Sequence, residues 1–137
     1  TLARSCSNLE TNISSLNEQE RCNERAENTE IIRDDFGIPH IYGKTDADAV
    51  FGMLYAQCED DFNRVERNYI WAIGRLAEVE GKEAIYSDLR ANLYMTKEEA
   101  ILNYEKSPKW LQELCVAFAD GINFYLKNNP QVTPKLI

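Results

Sequence analysis

The chain has 137 residues, enough for one domain or a large fragment of one, and its composition of 44% hydrophobic and 28% charged residues lies outside the disordered range. Fifteen Lys and Arg against twenty-three Asp and Glu leave a formal charge of −8, which argues against a nucleic-acid partner because phosphate binding rests on clustered cations. No apolar run approaches the roughly 20 residues of a membrane-spanning helix, so no membrane span is expected, and Thr1 to Glu30 is too polar for a signal peptide.

Residues 1–29 form a polar leader, rich in Ser, Asn, Glu and Arg, in which Leu9, Ile13 and Leu16 suit a short helix with one weakly apolar face. Such a segment is expected to be weakly structured or docked on a larger body, since a short isolated helix is marginal in water. Asn12-Ile13-Ser14 fits a glycosylation acceptor, a pattern short enough to arise by chance.

Glu30 to Gly43 predicts strand, turn, strand. Ile31 and Ile32 are β-branched, Phe36-Gly37 supplies the turn, and Ile38 to Tyr42 returns as an extended segment in which Pro39 must sit on an edge or a non-bonded position. Two strands do not stand alone, so this pair calls for a larger sheet that the rest of the chain does not offer.

Thr45 is a good N-cap for a long helix, with Asp46 and Asp48 at the positive end of its dipole. Apolar residues recur at helical spacing through Val50, Leu54, Phe62, Val65, Tyr69, Ile73, Leu76 and Val79, and Gly81 is the expected terminator. Glu59-Asp60-Asp61 interrupts the pattern and marks a kink or break. Glu83 to Tyr94 reads as a connector. Thr96 with Glu99 forms a capping-box pattern for a short helix to about Glu105, and Ser107-Pro108 starts a last helix that Asn128-Asn129-Pro130 ends. Gln131 to Ile137 has no local reason to be ordered.

Few residues suggest chemistry. The one histidine, His40, lies beside Pro39 with no serine near it in sequence, a setting more typical of a packed or surface residue than of a catalytic base. Glu59, Asp60 and Asp61 are hard oxygen ligands without the spacing of a calcium loop, so a solvated or salt-bridged helix face is preferred. Cys6, Cys22, Cys58 and Cys115 lack metal-like spacing; Cys58 and Cys115 read as small buried hydrophobes, whereas Cys6 and Cys22 are left open between a disulfide and free thiols. Asp60, Glu66, Arg75, Glu78, Asp88 and Arg90 fall at intervals that would pair opposite charges between helices.

The order and spacing of several short segments resemble the light chain of penicillin acylases. They are Arg33-Asp34 with Gly37 and Pro39-His40-Ile41, the helix entry Asp48 to Gly52, Ala56-Gln57 with Asp60, Glu66, and Gly74 to Gly81. Asp88 with Arg90, Ala119 to Asn123 and Pro134-Lys135 follow in the same order. The resemblance covers residues 30–137 and leaves the leader unaccounted for. The family often has Gly-x-Gly where this chain has Gly52-Met53-Leu54, and Asp-Arg where it has Asp60-Asp61; the Glu59-Asp60 pairing is closer to the branch containing aculeacin and acyl-homoserine lactone acylases.

The resemblance implies an α+β, four-layer αββα N-terminal nucleophile hydrolase, to which this chain contributes a mostly helical portion and a strand pair that completes a sheet on its partner. It implies a zymogen that cleaves itself into light and heavy chains and a periplasmic or secreted location. The substrate would be a linear amide, the acyl side chain of a β-lactam, an acyl-homoserine lactone or a lipopeptide, cleaved in antibiotic or quorum-signal degradation. The nucleophile would be the N-terminal serine of the heavy chain. No catalytic or metal residue is assigned to this chain; the chemistry needs no cofactor, and any structural calcium belongs mainly to the partner. The rival readings are a non-catalytic helical adaptor whose strand pair augments a partner's sheet edge, and a purely structural helical domain.

Overall fold

The computed structural model describes residues 17–135. Leu9, Asn12, Ile13, Leu16 and Cys6 therefore lie outside the described residues. Helix α1 covers 17–27 of the leader, and strands β1 (Thr29–Arg33) and β2 (Pro39–Gly43) follow at once. The strands pair antiparallel, Thr29 opposite Gly43 and Arg33 opposite Pro39, with Pro39 as the first residue of its strand, where a missing N–H does least harm. Between them the Asp34 carboxylate accepts from the backbone N–H groups of Phe36 and Ile38, both at 2.9 Å, and Gly37 takes φ 80°.

Helix α2 runs from Asp46 to Ala72. Its start is the expected Thr45 N-cap, which the structure completes into a capping box: the Thr45 hydroxyl accepts from the Asp48 N–H at 3.2 Å, and the Asp48 carboxylate accepts from the Thr45 N–H at 3.1 Å. Its expected break is at Asp61, which is extended (φ −161°, ψ 81°) and whose carboxylate accepts from the Arg64 N–H at 3.1 Å, starting the second half as a new cap.

The second half stops at Ala72 rather than running on to Gly81. Gly74 adopts φ 68°, a left-handed conformation that ends the helical ladder, and Gly81 (φ 86°) closes only the short helix α3 (Ala77–Glu80). The new helix starts there because the Asp88 carboxylate accepts from the N–H groups of Leu76 and Ala77, at 2.8 and 2.7 Å. Residues 83–94, expected as a connector, instead contain a 3-10 turn (Lys82–Ala84) and helix α4 (Ile85–Tyr94). Without a side-chain cap of its own, α4 is placed by Asp88 reaching across to α3. Helix α5 (Lys97–Lys106) carries the predicted Thr96–Glu99 capping box.

Helix α6 (Lys109–Asn128) lies along α2, and their contact is the core. Leu54, Cys58, Phe62, Ile122 and Tyr125 form one buried cluster, with Tyr125 stacked on Phe62 at a ring separation of 5.8 Å. A Cβ on Gly121 would stand 2.6 Å from the Phe51 carbonyl oxygen, so the two helices meet backbone to backbone. Burying a Leu such as Leu54 stabilises by about 1.5–3 kcal/mol. A smaller cluster of Ile70, Leu76 and Ala84 anchors α3 to the end of α2.

The tail is tied down as far as Lys135, for a reason that local sequence does not contain. Val132 packs on the main core and the Lys135 N–H donates to the buried carboxylate of Glu66. No helix among the described residues is long and apolar enough to cross a membrane.

Candidate functional site

His40 stands on β2 with its ring Nε2 3.2 Å from the Asp34 carboxylate, and both side chains are open to solvent. The two turn N–H groups, first that of Ile38, and the imidazole hold the Asp34 carboxyl below the usual carboxylate range. This arrangement pins a hairpin. Among the described residues the side-chain partner of the histidine is Asp34, and no hydroxyl or thiol bonds to it.

The hydroxyls with described partners are engaged in structural contacts. Thr29 donates to the Arg25 and Asp48 carbonyls, Thr45 caps α2, Ser87 accepts from the Trp71 indole at 2.8 Å, and Ser107 donates to the Asn103 carbonyl. Cys22 and Cys58 are buried free thiols, each pushed up to about 11, chiefly by loss of water. Cys115, read from sequence as buried, is exposed: it sits on the outer face of α6, beyond the stripe that packs on α2.

Arg33 gathers the acidic cluster on α2. Its guanidinium lies 3.2 Å from Glu59 and 2.9 Å from Asp60 and also reaches the Ala56 carbonyl at 3.4 Å, while Asp61 turns away to Arg64. Those hydrogen bonds, Asp60 first, raise the Arg33 pKa above its ordinary value. Glu59, Asp60 and Asp61 thus form a salt-bridged helix face, and no group of three or more His, Cys, Asp or Glu side chains placed to hold a metal ion occurs among the described residues. A cleft of mixed character opens beside Arg33, with Ile31, Phe51, Tyr55 and Phe124 on its apolar side and Arg33 and Glu59 on its charged side.

The charges expected to pair between helices mostly do something else. Asp60 meets a strand arginine, Glu66 holds the tail backbone, and Asp88 caps α3. Arg75 and Glu78 pair within one turn at 2.6 Å on the surface, and Arg90 makes no ion pair among the described residues. Carboxylates spaced along a sequence are as ready to bond to a backbone N–H as to a guanidinium, and only the folded chain decides which donor arrives.

The ion-pair cluster that is buried was not legible. Arg21 forks onto Asp120 with two hydrogen bonds of 2.7 Å, and Arg25 lies 3.4 Å from Asp120 and 3.5 Å from Asp48. Asp48 and Asp120 are 3% and 2% exposed, so this is a desolvated pair of carboxylates served by a pair of guanidiniums. Hydrogen bonding to Asp120 is the main reason the Arg21 pKa lies above its ordinary value. The one sequence signal was the spacing of Arg21 and Arg25, which puts them on one face of a helix.

Residues 28–136 match the family model for penicillin amidase. Acyl-homoserine lactone acylase QuiP of Pseudomonas aeruginosa is 31% identical over 101 residues, which cover 74% of this chain and 12% of that protein. A penicillin acylase 2 proenzyme of a Pseudomonas species (strain SE83) is 28% identical over 96 residues, covering 70% of this chain and 12% of the relative. Among solved structures, a thermostable penicillin G acylase from Alcaligenes faecalis superposes with a TM-score of 0.66 at 24% identity, covering 78% of this chain and 58% of that one. The chain thus spans 12% of the length of these curated relatives and has the fold of a penicillin acylase chain, mostly helical with a two-stranded antiparallel sheet. On the match of its residues 28–136, the chain belongs to the penicillin amidase family.

Proposed function

We propose that this chain is the light-chain part of a heterodimeric amidohydrolase that cleaves a linear acyl amide into a carboxylic acid and an amine. The observation that carries the reading is the family match over 28–136, joined to the 31% identity with an acyl-homoserine lactone acylase. Relatives bearing that name favour an acyl-homoserine lactone over a β-lactam side chain or a lipopeptide as substrate.

In this reading the nucleophile is the N-terminal serine of the heavy chain, exposed when a periplasmic or secreted precursor cleaves itself. An α-amino group with a pKa of about 8 accepts the hydroxyl proton near neutral pH, so one residue supplies nucleophile and base. Donors on the heavy chain stabilise the oxyanion, and the reaction needs no cofactor; any structural calcium is held mainly by the heavy chain. The part of this chain is mechanical. Its strand pair, with Ile32 and Tyr42 exposed, extends a sheet of the partner, and α2, braced from behind by α6, is the helix on which that strand pair rests.

The test is expression of the complete reading frame, followed by intact mass and N-terminal sequencing of every chain that co-purifies. A second chain beginning with serine is expected, with hydrolysis of acyl-homoserine lactones exceeding that of penicillin side-chain amides and acylated lipopeptides. A frame with no internal serine-initiated chain and no hydrolysis would sink the proposal in favour of a binding module, and activity that survives substitution of that serine by alanine would overturn the assigned nucleophile.

A further inference from the structure

The family match begins at residue 28, yet two carboxylates that the matched region buries find their cations ahead of it. Asp120, on α6, accepts both hydrogen bonds of Arg21 and lies near Arg25. Asp48, in the first turn of α2, is reached by Arg25. Among the described residues no other Lys or Arg pairs with either carboxylate. Arg25 is itself only 13% exposed, and its Nε is close enough to Asp120 for an ion pair without being aligned for a hydrogen bond. Asp48 meanwhile serves the Thr45 N–H and hydroxyl, so its charge is fixed in place by the cap of the longest helix.

The arrangement is stereospecific. Arg21 and Arg25 stand one helical turn apart on α1, and Cys22 and Ala26 beside them pack on Ala47, Phe51 and Ala117 of α2 and α6. The Thr29 hydroxyl, at the start of β1, bonds the carbonyls of Arg25 and Asp48 and so joins α1 to the α2 entry a second time. A carboxylate in such a site is tolerated because it is paired, and stripping away its cation leaves the full desolvation cost exposed.

We infer that the helix at 17–27 is a charge clamp retained by the working protein, so that any N-terminal trimming falls ahead of residue 17. The body matched by the family model is electrically incomplete at its own boundary, and the leader completes it. The inference does not depend on which amide, if any, the protein hydrolyses.

The test uses the complete reading frame, begun either at residue 17 or at residue 29, beside an R21Q/R25Q variant of the full chain. The start at 17 keeps the parent's soluble yield and Tm. The start at 29 and the R21Q/R25Q variant lose soluble protein or melt at least about 5 °C lower. Adding D48N/D120N to R21Q/R25Q recovers at least half of that loss, because Asn still caps α2 and the buried charge is gone. A start at 29 that matches the parent overturns the clamp, as does a mature N-terminus past residue 17 in the protein purified from its source. Failure of D48N/D120N to rescue overturns its electrostatic basis and leaves apolar packing of α1 as the cause.

Discussion

The slab made by α2 and α6 and the arm made by α4 and α5 are both pairs of helices, and they end up opposite in character. Leu54 in the slab is 2% exposed, whereas Leu93 in the arm is 85% exposed, with Leu89, Tyr86 and Tyr94 beside it also open. Neither α4 nor α5 buries a single residue. Both arm helices have sound local reasons to be helical, α5 through its capping box and α4 through its place beside Asp88. The contrast teaches that capping makes a helix and packing makes it stable: a ten-residue helix without an apolar contact is marginal in water.

The sharpest way to break that comparison is the same truncation in both places. Leu54→Ala should lower unfolding free energy by about 2–5 kcal/mol in urea titrations. Leu93→Ala in the same assay on this chain should change it by no more than about 0.5 kcal/mol. A loss at Leu93 comparable to that at Leu54 would show that the arm is packed in solution.

Gly121→Ala probes the slab from the opposite side, by adding a carbon where the helices touch. The intruded atom is the Phe51 carbonyl oxygen, which no rotamer change moves. An overpacking cost of about 1–3 kcal/mol then exceeds the roughly 1 kcal/mol that Ala contributes to helix propensity, so the net effect is destabilising. A more stable Gly121→Ala variant would mean that the helices are free to slide apart.

Smaller still is the loss of the α2 cap. Thr45→Ala should destabilise by about 1 kcal/mol, with amide exchange speeding first in the turn around Asp48.

The least effect belongs to the arm's own cap. Glu99 is held below the usual carboxylate range, chiefly by its bond from the Thr96 N–H, so its stabilising contribution is present above the ordinary carboxyl pKa of about 4.3. That contribution disappears as pH falls through the depressed value. Fraying of α5 at its first turn, followed by NMR on acidification, should precede any change in α2 or α6; simultaneous loss would tie arm and slab into one unit.

Legibility follows the same division. The N-cap at Thr45, the capping box at Thr96, the break at Asp61, the hairpin and the last helix's end were readable because each is decided within a few residues. The end of α2 was misread because Gly74, not Gly81, takes the left-handed turn, and the helix at 85–94 and the fixed tail were misread because Asp88 and Glu66 act on backbone far away in sequence. The acidic run at Glu59 to Asp61 was rightly read as salt-bridged, although its partner on β1 could not be named. The clamp of Arg21 and Arg25 on Asp48 and Asp120 had no sequence signal beyond spacing, because residues 99 positions apart meet only when α1 lies across α6.

By itself the sequence determined the helical periodicity, the caps, the turn and the family, all of which rest on short-range chemistry and ordered short motifs. Tertiary structure alone decided which carboxylates are buried, which cation serves each, and that α4 and α5 stand uncovered while α2 and α6 close on each other. The physical reason is that a carboxylate's fate depends on the donor brought within about 3 Å of it, and that donor is chosen by how the helices pack.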